Sequence, residues 1–233
     1  MSWMPKLVEY AAAQIDERVY DVLQGRGVSE AQIVQYQIGY LHGELPDDVP
    51  SEFRRWGYGK IEDALLFPLT NALGEVCGFQ VRALGVTKSR YHDFLPDKRE
   101  ACSFGLGQAV SAMWETRSAF LVEGAFDLFP IQRAFPAVVA TLTARTAPSL
   151  ARVLKRLVDR VWVGYDMDGP GRRGCSDFLR DYGQAFEVYI VSYPQIGAVK
   201  DPGELWEVWG DSQLIPFIQD LVTRNPEGEL FNG

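Results

Sequence analysis

From about residue 118 onward, short apolar strands alternate with helices, and this alternation limits the possible folds more than any other feature of the sequence. The strands are continuously apolar, which indicates strands that are buried on both faces. Strands of this kind, each followed by a helix, are typical of a parallel sheet covered by helices. The predicted strands are Ala119–Val122, Ala137–Ala140, Val161–Tyr165 and Glu187–Val191, and the predicted helices are Ala125–Arg133, one beginning at Pro148, Pro170–Tyr182 and Pro202–Thr223.

The residues before this region follow a different pattern. Apolar residues at helical spacing predict one long helix over residues 4–24, and Ser29 is the expected N-cap of a second, short helix. Residues 42–52 have the composition of a turn-rich loop, while Ala64–Thr70 and Glu75–Leu84 predict the two strands of a hairpin. The predicted fold class is therefore α/β. We expect a smaller mixed α+β subdomain over residues 1–117, the parallel sheet with its helices over 118–193, and a short helical segment over 194–233.

The net charge of −8 is unevenly distributed along the chain. Residues 1–53 have 3 Lys or Arg against 9 Asp or Glu, residues 54–99 have 8 against 5, and residues 100–233 have 12 against 17. The acidic total argues against a protein that binds nucleic acid over its whole surface, but a basic window between acidic flanks permits a locally basic groove. Scattered, solvated charge is the alternative explanation.

The sequence also argues against several classes of protein. No apolar run approaches the roughly 20 residues of a membrane helix, so no membrane association is expected. Cys77, Cys102 and Cys175 lie far apart and form neither a C-x-x-C pair nor a disulfide framework. The only two histidines are also far from a zinc-binding pattern. We therefore expect a reduced, cytoplasmic protein and no zinc in this chain.

Carboxylates follow two of the predicted parallel strands at the point where each strand ends. Glu123-Gly124 ends the first strand and Asp127 comes one helical turn later, while Asp166 and Asp168 follow the third strand. Because the carboxyl ends of parallel strands meet at one edge of a sheet, these acids are expected to lie close together. Two carboxylates ~4 Å apart repel by ~4 kcal/mol at an effective dielectric of about 20, and Mg²⁺ or Mn²⁺ would remove that repulsion. An N-cap role for Asp168 is the alternative.

The order of these acids resembles that of Toprim domains, in which Glu-Gly follows one strand, Asp comes four residues later and Asp-x-Asp follows another strand. A third element, Lys200-Asp201-Pro202-Gly203-Glu204, resembles the Asp-Pro-Asp element of bacterial-type primases. Asp201 matches the first acid, whereas Gly203 stands at the place of the second and Glu204 comes one residue late. The second metal position therefore stays open, and a helix N-cap is the alternative role for Asp201.

Segments upstream resemble the beginning of the RNA-polymerase domain of the same primases, in the same order along the chain. These segments are Arg26-Gly27-Val28-Ser29 through Ile38-Gly39-Tyr40, Leu66-Phe67-Pro68-Leu69, Gly74 through Arg82, Arg90-Tyr91 and Phe104-Gly105-Leu106. On these motifs, residues 10–205 are similar to the catalytic core of DnaG-type bacterial and phage primases. The resemblance implies a Toprim-type sheet and an enzyme, a nucleotidyltransferase that makes short RNA primers on single-stranded DNA.

The resemblance also implies which residues bind and react. Glu123, Asp166 and Asp168 would be catalytic, and Mg²⁺ or Mn²⁺ would be held by Glu123, Asp127, Asp166, Asp168 and Asp201. Nucleotide or template binding is expected from Lys60, Arg82, Lys88, Arg90, Tyr91 and Lys200. The implied partners are a single-stranded DNA template, nucleoside triphosphates, and a replicative helicase or a separate template-recognition protein, in the bacterial cytoplasm or a phage-infected host.

Two departures from the family leave alternatives open. No Cys/His cluster corresponds to the family's N-terminal zinc domain, and few residues follow position 205, where the family has its helicase-binding region. The chain is thus expected to be an excised core, a minimal phage-like primase or a core that depends on a partner protein. Two other functions remain: a Toprim nuclease that uses the same acids, and a catalytically weak DNA-binding replisome adaptor.

Overall fold

The structure, a computed structural model, describes residues 3–56, 63–85 and 90–223, which form two four-stranded sheets with helices packed against them. The first part comprises α1 (Trp3–Ala12), α2 (Glu17–Gly25), α3 (Glu30–Gln35), β1 (Gly39–Leu41), α4 (Ser51–Trp56), β2 (Ala64–Thr70), β3 (Val76–Ala83), β4 (Tyr91–Phe94) and α5 (Leu106–Thr116). The second part comprises β5 (Ser118–Val122), α6 (Ala125–Ala134), β6 (Val138–Ala140), α7 (Pro148–Leu157), β7 (Arg160–Val163), α8 (Gly169–Tyr182), β8 (Glu187–Ile190) and α9 (Pro202–Thr223).

The first sheet is antiparallel and follows chain order, β1-β2-β3-β4. All seven residues of β2 are buried, because the sheet is covered on both faces. Leu65 and Phe67 join the large core that extends into the second sheet, whereas Ala64 and Leu66 face a smaller core beneath α1. Side chains alternate between the two faces of a strand, so a strand between two cores is apolar throughout.

The second sheet is parallel, with the strand order β6-β5-β7-β8, and its core strands β5 and β6 are buried along their whole length. The predicted α/β fold class, with a parallel sheet flanked by helices, is confirmed. The final helix, α9, packs against α6 and is kinked at Gly210, whose φ is +61°. Among the helices that the structure describes, none has both the length and the apolar character needed to cross a bilayer.

One short segment joins the two sheets. Ser103 forms an isolated antiparallel bridge to Thr70 at the end of β2, and the next residue, Phe104, forms one to Ala140 at the end of β6. Consecutive residues of a single segment therefore link the end of β2 in the first sheet to the edge strand β6 of the second. The division of the chain at residues 117 and 193 stays a prediction.

The predicted single helix over residues 4–24 is wrong. The structure contains two helices, α1 and α2, separated by residues 13–16, and Asp16 caps the second helix by accepting a hydrogen bond from the Val19 amide at 2.8 Å. The predicted loop over residues 42–52 ends in α4, and β1, β4 and α5 were not predicted. The N-cap at Ser29 is confirmed, because Ser29 and Gln32 form a reciprocal capping box.

The expectation that the cysteines form no disulfide is also wrong. Cys77 at the beginning of β3 and Cys102 are bonded to each other, with their Cα atoms 6.0 Å apart, while Cys175 is free and buried. The antiparallel hairpin brings together two residues that are 25 positions apart, a proximity that sequence spacing does not reveal. The bond ties the hairpin to the segment that joins the two sheets.

Reduction of this disulfide is expected to destabilise the protein by ~3 kcal/mol, because a cross-link over a loop of this length restricts the unfolded chain. Urea unfolding of the oxidised protein, the reduced protein and the C102S variant measures the effect. Cys175→Ser is the matched control, since that cysteine takes no part in the bond. Equal unfolding free energies for oxidised protein and C102S would contradict the prediction.

Candidate active site

Four carboxylates line one wall of a cavity of about 520 Å³ at the carboxyl edge of the parallel sheet. Glu123 directly follows β5, Asp127 lies in the first turn of α6, Asp166 follows β7 and Asp201 immediately precedes α9. Because β5 and β7 are hydrogen-bonded neighbours, their carboxyl ends bring Glu123 and Asp166 together. Of the acids expected to converge from strand ends, Glu123, Asp127 and Asp166 line this cavity and Asp168 does not, while Asp201 joins them from the beginning of α9.

Backbone amides fix the orientation of the two acids that follow β5. Glu123 Oε1 accepts a hydrogen bond from the Asp166 amide at 3.0 Å. Asp127 Oδ2 accepts from the Gly124 amide at 2.9 Å, and its Oδ1 accepts from the Gly203 amide at 3.2 Å. Asp127 thus links the turn after β5 to the beginning of α9, and both of its oxygens already have amide partners.

Asp168 and Asp201 cap helices, as the alternative roles predicted. Asp168 Oδ1 accepts from the Gly171 amide at 2.9 Å at the beginning of α8, and Asp201 Oδ1 accepts from the Glu204 amide at 2.7 Å. A Cβ on Gly171 would lie 2.0 Å from the Asp166 carbonyl oxygen, so only glycine lets α8 begin this close to the acidic loop. Capping uses one oxygen of each carboxylate and orients the side chain without excluding a second role.

Burial and mutual repulsion make Glu123, Asp127 and Asp166 difficult to ionise. Burial, followed by the charges of Asp166 and Asp168, raises the pKa of Glu123 to about 7. Burial, followed by the charge of Asp201, raises the pKa of Asp166 to about 6. Burial and then the charges of Asp201 and Asp166 raise the pKa of Asp127 well above its usual value. The negative charge of the acids, when ionised, therefore exceeds the positive charge of the side chains around them.

Lys200 supplies part of the missing positive charge. Its Nζ lies 3.4 Å from Asp166 Oδ2 and 3.9 Å from Asp201 Oδ2. Partial burial opposes the charge of Lys200, but the two carboxylates outweigh that effect and raise its pKa. The predicted binding residue Lys200 is thus a neighbour of the acids rather than part of the basic wall opposite them.

The opposite wall of the cavity is formed by β3, β4 and the residue before β4, and it is basic. Arg82 and Arg90 both line the cavity, together with Tyr91. The Arg82 guanidinium lies 4.5 Å from the ring centre of Phe126 and 5.5 Å from that of Tyr91. Arg82 Nε and Nη1 are buried and have no hydrogen-bond partner among the described residues, and burial lowers the pKa of this side chain.

Two of the predicted binding residues, Lys60 and Lys88, lie outside the residues that the structure describes. Their roles stay predictions.

Two further cavity residues, Arg26 and Leu142, had no role predicted from the sequence. Arg26, at the end of α2, lies 5.2 Å from the Phe126 ring centre on the side of the cavity where Arg82 lies, and forms a 3.0 Å ion pair with Glu207. Leu142 has a φ of +65° and donates its amide hydrogen to the Glu123 carbonyl at 2.8 Å, which supports the backbone of the catalytic candidate. The resemblance to primases included the segment Arg26-Gly27-Val28-Ser29, but it predicted no role for the Arg26 side chain.

The carboxylate cluster fits a hard divalent cation by its donor chemistry, since it offers only oxygen ligands. Within residues 3–56, 63–85 and 90–223, no three His, Cys, Asp or Glu side chains are already arranged as a ready-made metal cage. Proteins commonly hold Mg²⁺ through one or two carboxylates together with phosphate oxygens of a substrate and water. Amide hydrogen bonds occupy one carboxylate oxygen each of Glu123 and Asp201, and Asp166 Oδ2 lies 3.4 Å from the Lys200 ammonium.

The metal-free protein is expected to lose stability as the pH rises from about 4 to about 7. The pKa values of Glu123, about 7, and Asp166, about 6, lie above those of an unfolded chain, so the folded state binds more protons in this range. The stabilisation is complete below the unfolded values near 4 and is lost as the pH passes through the folded values. Urea unfolding in EDTA across this range measures the decline, and added Mg²⁺ should reduce it. A stability that rises over the same range would contradict the prediction.

Comparisons with known proteins agree with this geometry. The family described as Toprim-like matches residues 120–206, which contain all five predicted metal-binding acids. The DNA primase of Treponema pallidum is 31% identical over 166 residues, which cover 69% of this chain and 27% of that protein. The chain spans well under half the length of the curated relatives it matches.

Solved structures show the same fold. The Aquifex aeolicus primase structure, which contains zinc-binding and RNA polymerase domains, superposes with a TM-score of 0.75 at 22% identity and covers 93% of this chain and 59% of that one. A structure of the DnaG primase catalytic domain superposes with a TM-score of 0.71 at 21% identity and covers 93% of this chain and 79% of that one. Both sheets therefore belong to a known fold.

Proposed function

The chain belongs to the DnaG-type primase family with a Toprim domain, and from this premise we propose that it synthesises short RNA primers on a single-stranded DNA template. The observation that carries the proposal is one cavity with carboxylates on one wall and arginines on the other. Carboxylates suit divalent metal ions, and arginines suit phosphates. A nucleoside triphosphate with its metal ions is a ligand that needs both walls at once.

We assign the metal ions to the acidic wall and the phosphates to the basic wall. Glu123, Asp166, Asp168 and Asp201 would hold Mg²⁺ or Mn²⁺, with Asp127 as the fifth acid of the family pattern. When bound, the metal ions neutralise charge on the phosphates and lower the pKa of the attacking 3′-hydroxyl. Whether Mg²⁺ or Mn²⁺ is preferred is decided by assay, because both accept these oxygen ligands.

The side chains of this chain perform the positioning. Arg82, Arg90 and Arg26 would bind phosphate oxygens, and the Arg82 guanidinium is held in place between the rings of Phe126 and Tyr91. Glu123, with a pKa of about 7, is suited to accept the proton of the 3′-hydroxyl where it does not ligate metal. Lys200 partly neutralises the acids before substrate arrives, because it lies between Asp166 and Asp201.

The partners follow from the same assignment. One solved relative is the DnaG primase catalytic domain bound to single-stranded DNA, and we propose such a strand as the template here. Nucleoside triphosphates would be the substrates, and a replicative helicase or a separate template-recognition protein would be a further partner.

Primer synthesis tests the proposal directly. The protein is incubated with single-stranded templates of varied sequence, all four ribonucleoside triphosphates and Mg²⁺ or Mn²⁺, and the products are sized on a denaturing gel. We expect short oligonucleotides that depend on template, triphosphates and metal. Metal-dependent cleavage of the template without triphosphates would instead indicate the nuclease, and template binding with no product would indicate the adaptor.

A further inference from the structure

We propose that Asp93, positioned by Gln80, accepts a hydrogen bond from a ribose hydroxyl of the nucleotide bound in this cavity. The inference rests on the proposed function, because it assumes that the cavity takes a nucleotide. Such a contact would distinguish ribonucleotides from their deoxy analogues. Neither the acidic wall nor the arginines contribute to that distinction.

Register places a second pair of side chains beside the arginine. In the antiparallel pair β3–β4, Arg82 lies opposite Tyr91 and Gln80 lies opposite Asp93. Residues two apart on a strand project from the same face, so Gln80 faces the cavity with Arg82, and both Gln80 and Asp93 line it. The basic wall therefore continues into a polar, acidic patch.

Gln80 is built into the wall, and it fixes the orientation of Asp93. The Gln80 side chain is only 3% exposed, and its Nε2 donates a 2.8 Å hydrogen bond to Asp93 Oδ1. Gln80 Oε1 is buried without a hydrogen-bond partner among the described residues. Buried amide groups normally have partners. Because Oε1 has none here, the hydrogen bond from Nε2 to Asp93 is the contact that sets the position of the Gln80 side chain. Asp93 itself is exposed to the cavity.

A carboxylate on this wall would repel phosphate, which indicates that it meets another part of the ligand. Two residues along a strand correspond to ~7 Å, so a nucleotide whose phosphates bind Arg82 extends one sugar ring further to reach the level of Asp93. Ribose hydroxyls are hydrogen-bond donors, and carboxylates recognise them in nucleotide-binding proteins. The alternation of Arg82 and Asp93 along β3 and β4 thus matches the alternation of phosphate and ribose in the ligand.

Equilibrium binding tests the inference without requiring polymerisation. Isothermal titration of the full chain with ATP, 2′-deoxyATP and 3′-deoxyATP in Mg²⁺ gives the affinity ratios that each hydroxyl contributes. We expect the wild type to bind ATP at least about 10-fold more tightly than one of the deoxy analogues, as befits a hydrogen bond to a charged group. That ratio should approach one in D93L and fall partially in Q80M, while D93N, which keeps an oxygen acceptor, should retain part of it.

The matched control is D97L, which removes an acidic side chain that does not line the cavity and should leave the ratios unchanged. Thermal unfolding of each variant establishes that it is folded. Equal affinities of the wild type for all three nucleotides, or an unchanged ratio in D93L, would overturn the inference.

Failure of the proposed function is distinguishable from failure of this inference. A protein that shows the expected nucleotide ratios but makes no primer supports the contact at Asp93 and refutes primer synthesis. Primer synthesis by a protein that binds ATP, 2′-deoxyATP and 3′-deoxyATP with equal affinity supports the proposed function and refutes the contact. Absence of any nucleotide binding refutes the inference.

Discussion

Replacing Asp166 with asparagine is expected to reduce primer synthesis at least about 100-fold, since a catalytic metal ion contributes several kcal/mol of transition-state stabilisation. Asp166 lies on the acidic wall, where the charge of Asp201 and the Lys200 ammonium both act on its carboxylate. Its backbone amide donates a hydrogen bond to Glu123. Asparagine keeps the size of the side chain but removes its charge, so the metal loses an anionic ligand. The loss should not be recovered by more nucleotide, and only partially by more Mn²⁺.

A second measurement separates loss of metal binding from loss of folding. Because burial and the charge of Asp201 already oppose ionisation of Asp166, the neutral variant should be at least as stable as the wild type without metal. It should also gain less stability from added Mg²⁺, as measured by thermal unfolding. Asp21→Asn, at an exposed position of α2, is the matched control and should change neither quantity. Wild-type synthesis by Asp166→Asn would refute the metal assignment.

The parallel half of the fold could be predicted from the sequence because its signals are local. The buried strands are continuous apolar runs, and α7 begins at a proline and carries an apolar stripe. By contrast, α5 begins after Gly105 in a left-handed conformation with no side-chain cap, so its beginning has no N-cap signal. Apolar spacing also continued through residues 13–16, which concealed the break that Asp16 caps.

The candidate site also contains residues that the sequence predicts and residues that it does not. The acids could be found because strand ends converge in a parallel sheet, a rule that needs only the order of elements. Arg26 could not be placed, because its proximity to Arg82 depends on how α2 packs against the antiparallel sheet and α6. The Cys77–Cys102 bond and the Gln80–Asp93 pair likewise depend on strand register, which is set by the whole sheet.

Replacing Arg82 with methionine is expected to weaken binding of nucleotide or single-stranded template about 10- to 100-fold, the range for a charge-assisted hydrogen bond to phosphate. Methionine keeps an unbranched apolar side chain against Phe126 and Tyr91, so the loss should reflect the charge rather than the packing. Fluorescence anisotropy of a labelled template over a range of salt concentrations measures both affinity and its salt dependence. The slope of log affinity against log salt should become about one unit less steep, since one phosphate contact is removed.

Arg99→Met separates a specific contact from the net charge of the basic window. Arg99 belongs to the same window of residues 54–99, but its side chain is 91% exposed, pairs with Asp97 and does not line the cavity. If the window acts only as scattered solvated charge, both variants change the salt slope equally, and the cavity has no special role. If Arg82 binds phosphate at the wall opposite the acids, only Arg82→Met changes the slope and the affinity. The comparison thus decides whether an acidic protein binds nucleic acid through one groove, as its charge distribution permits.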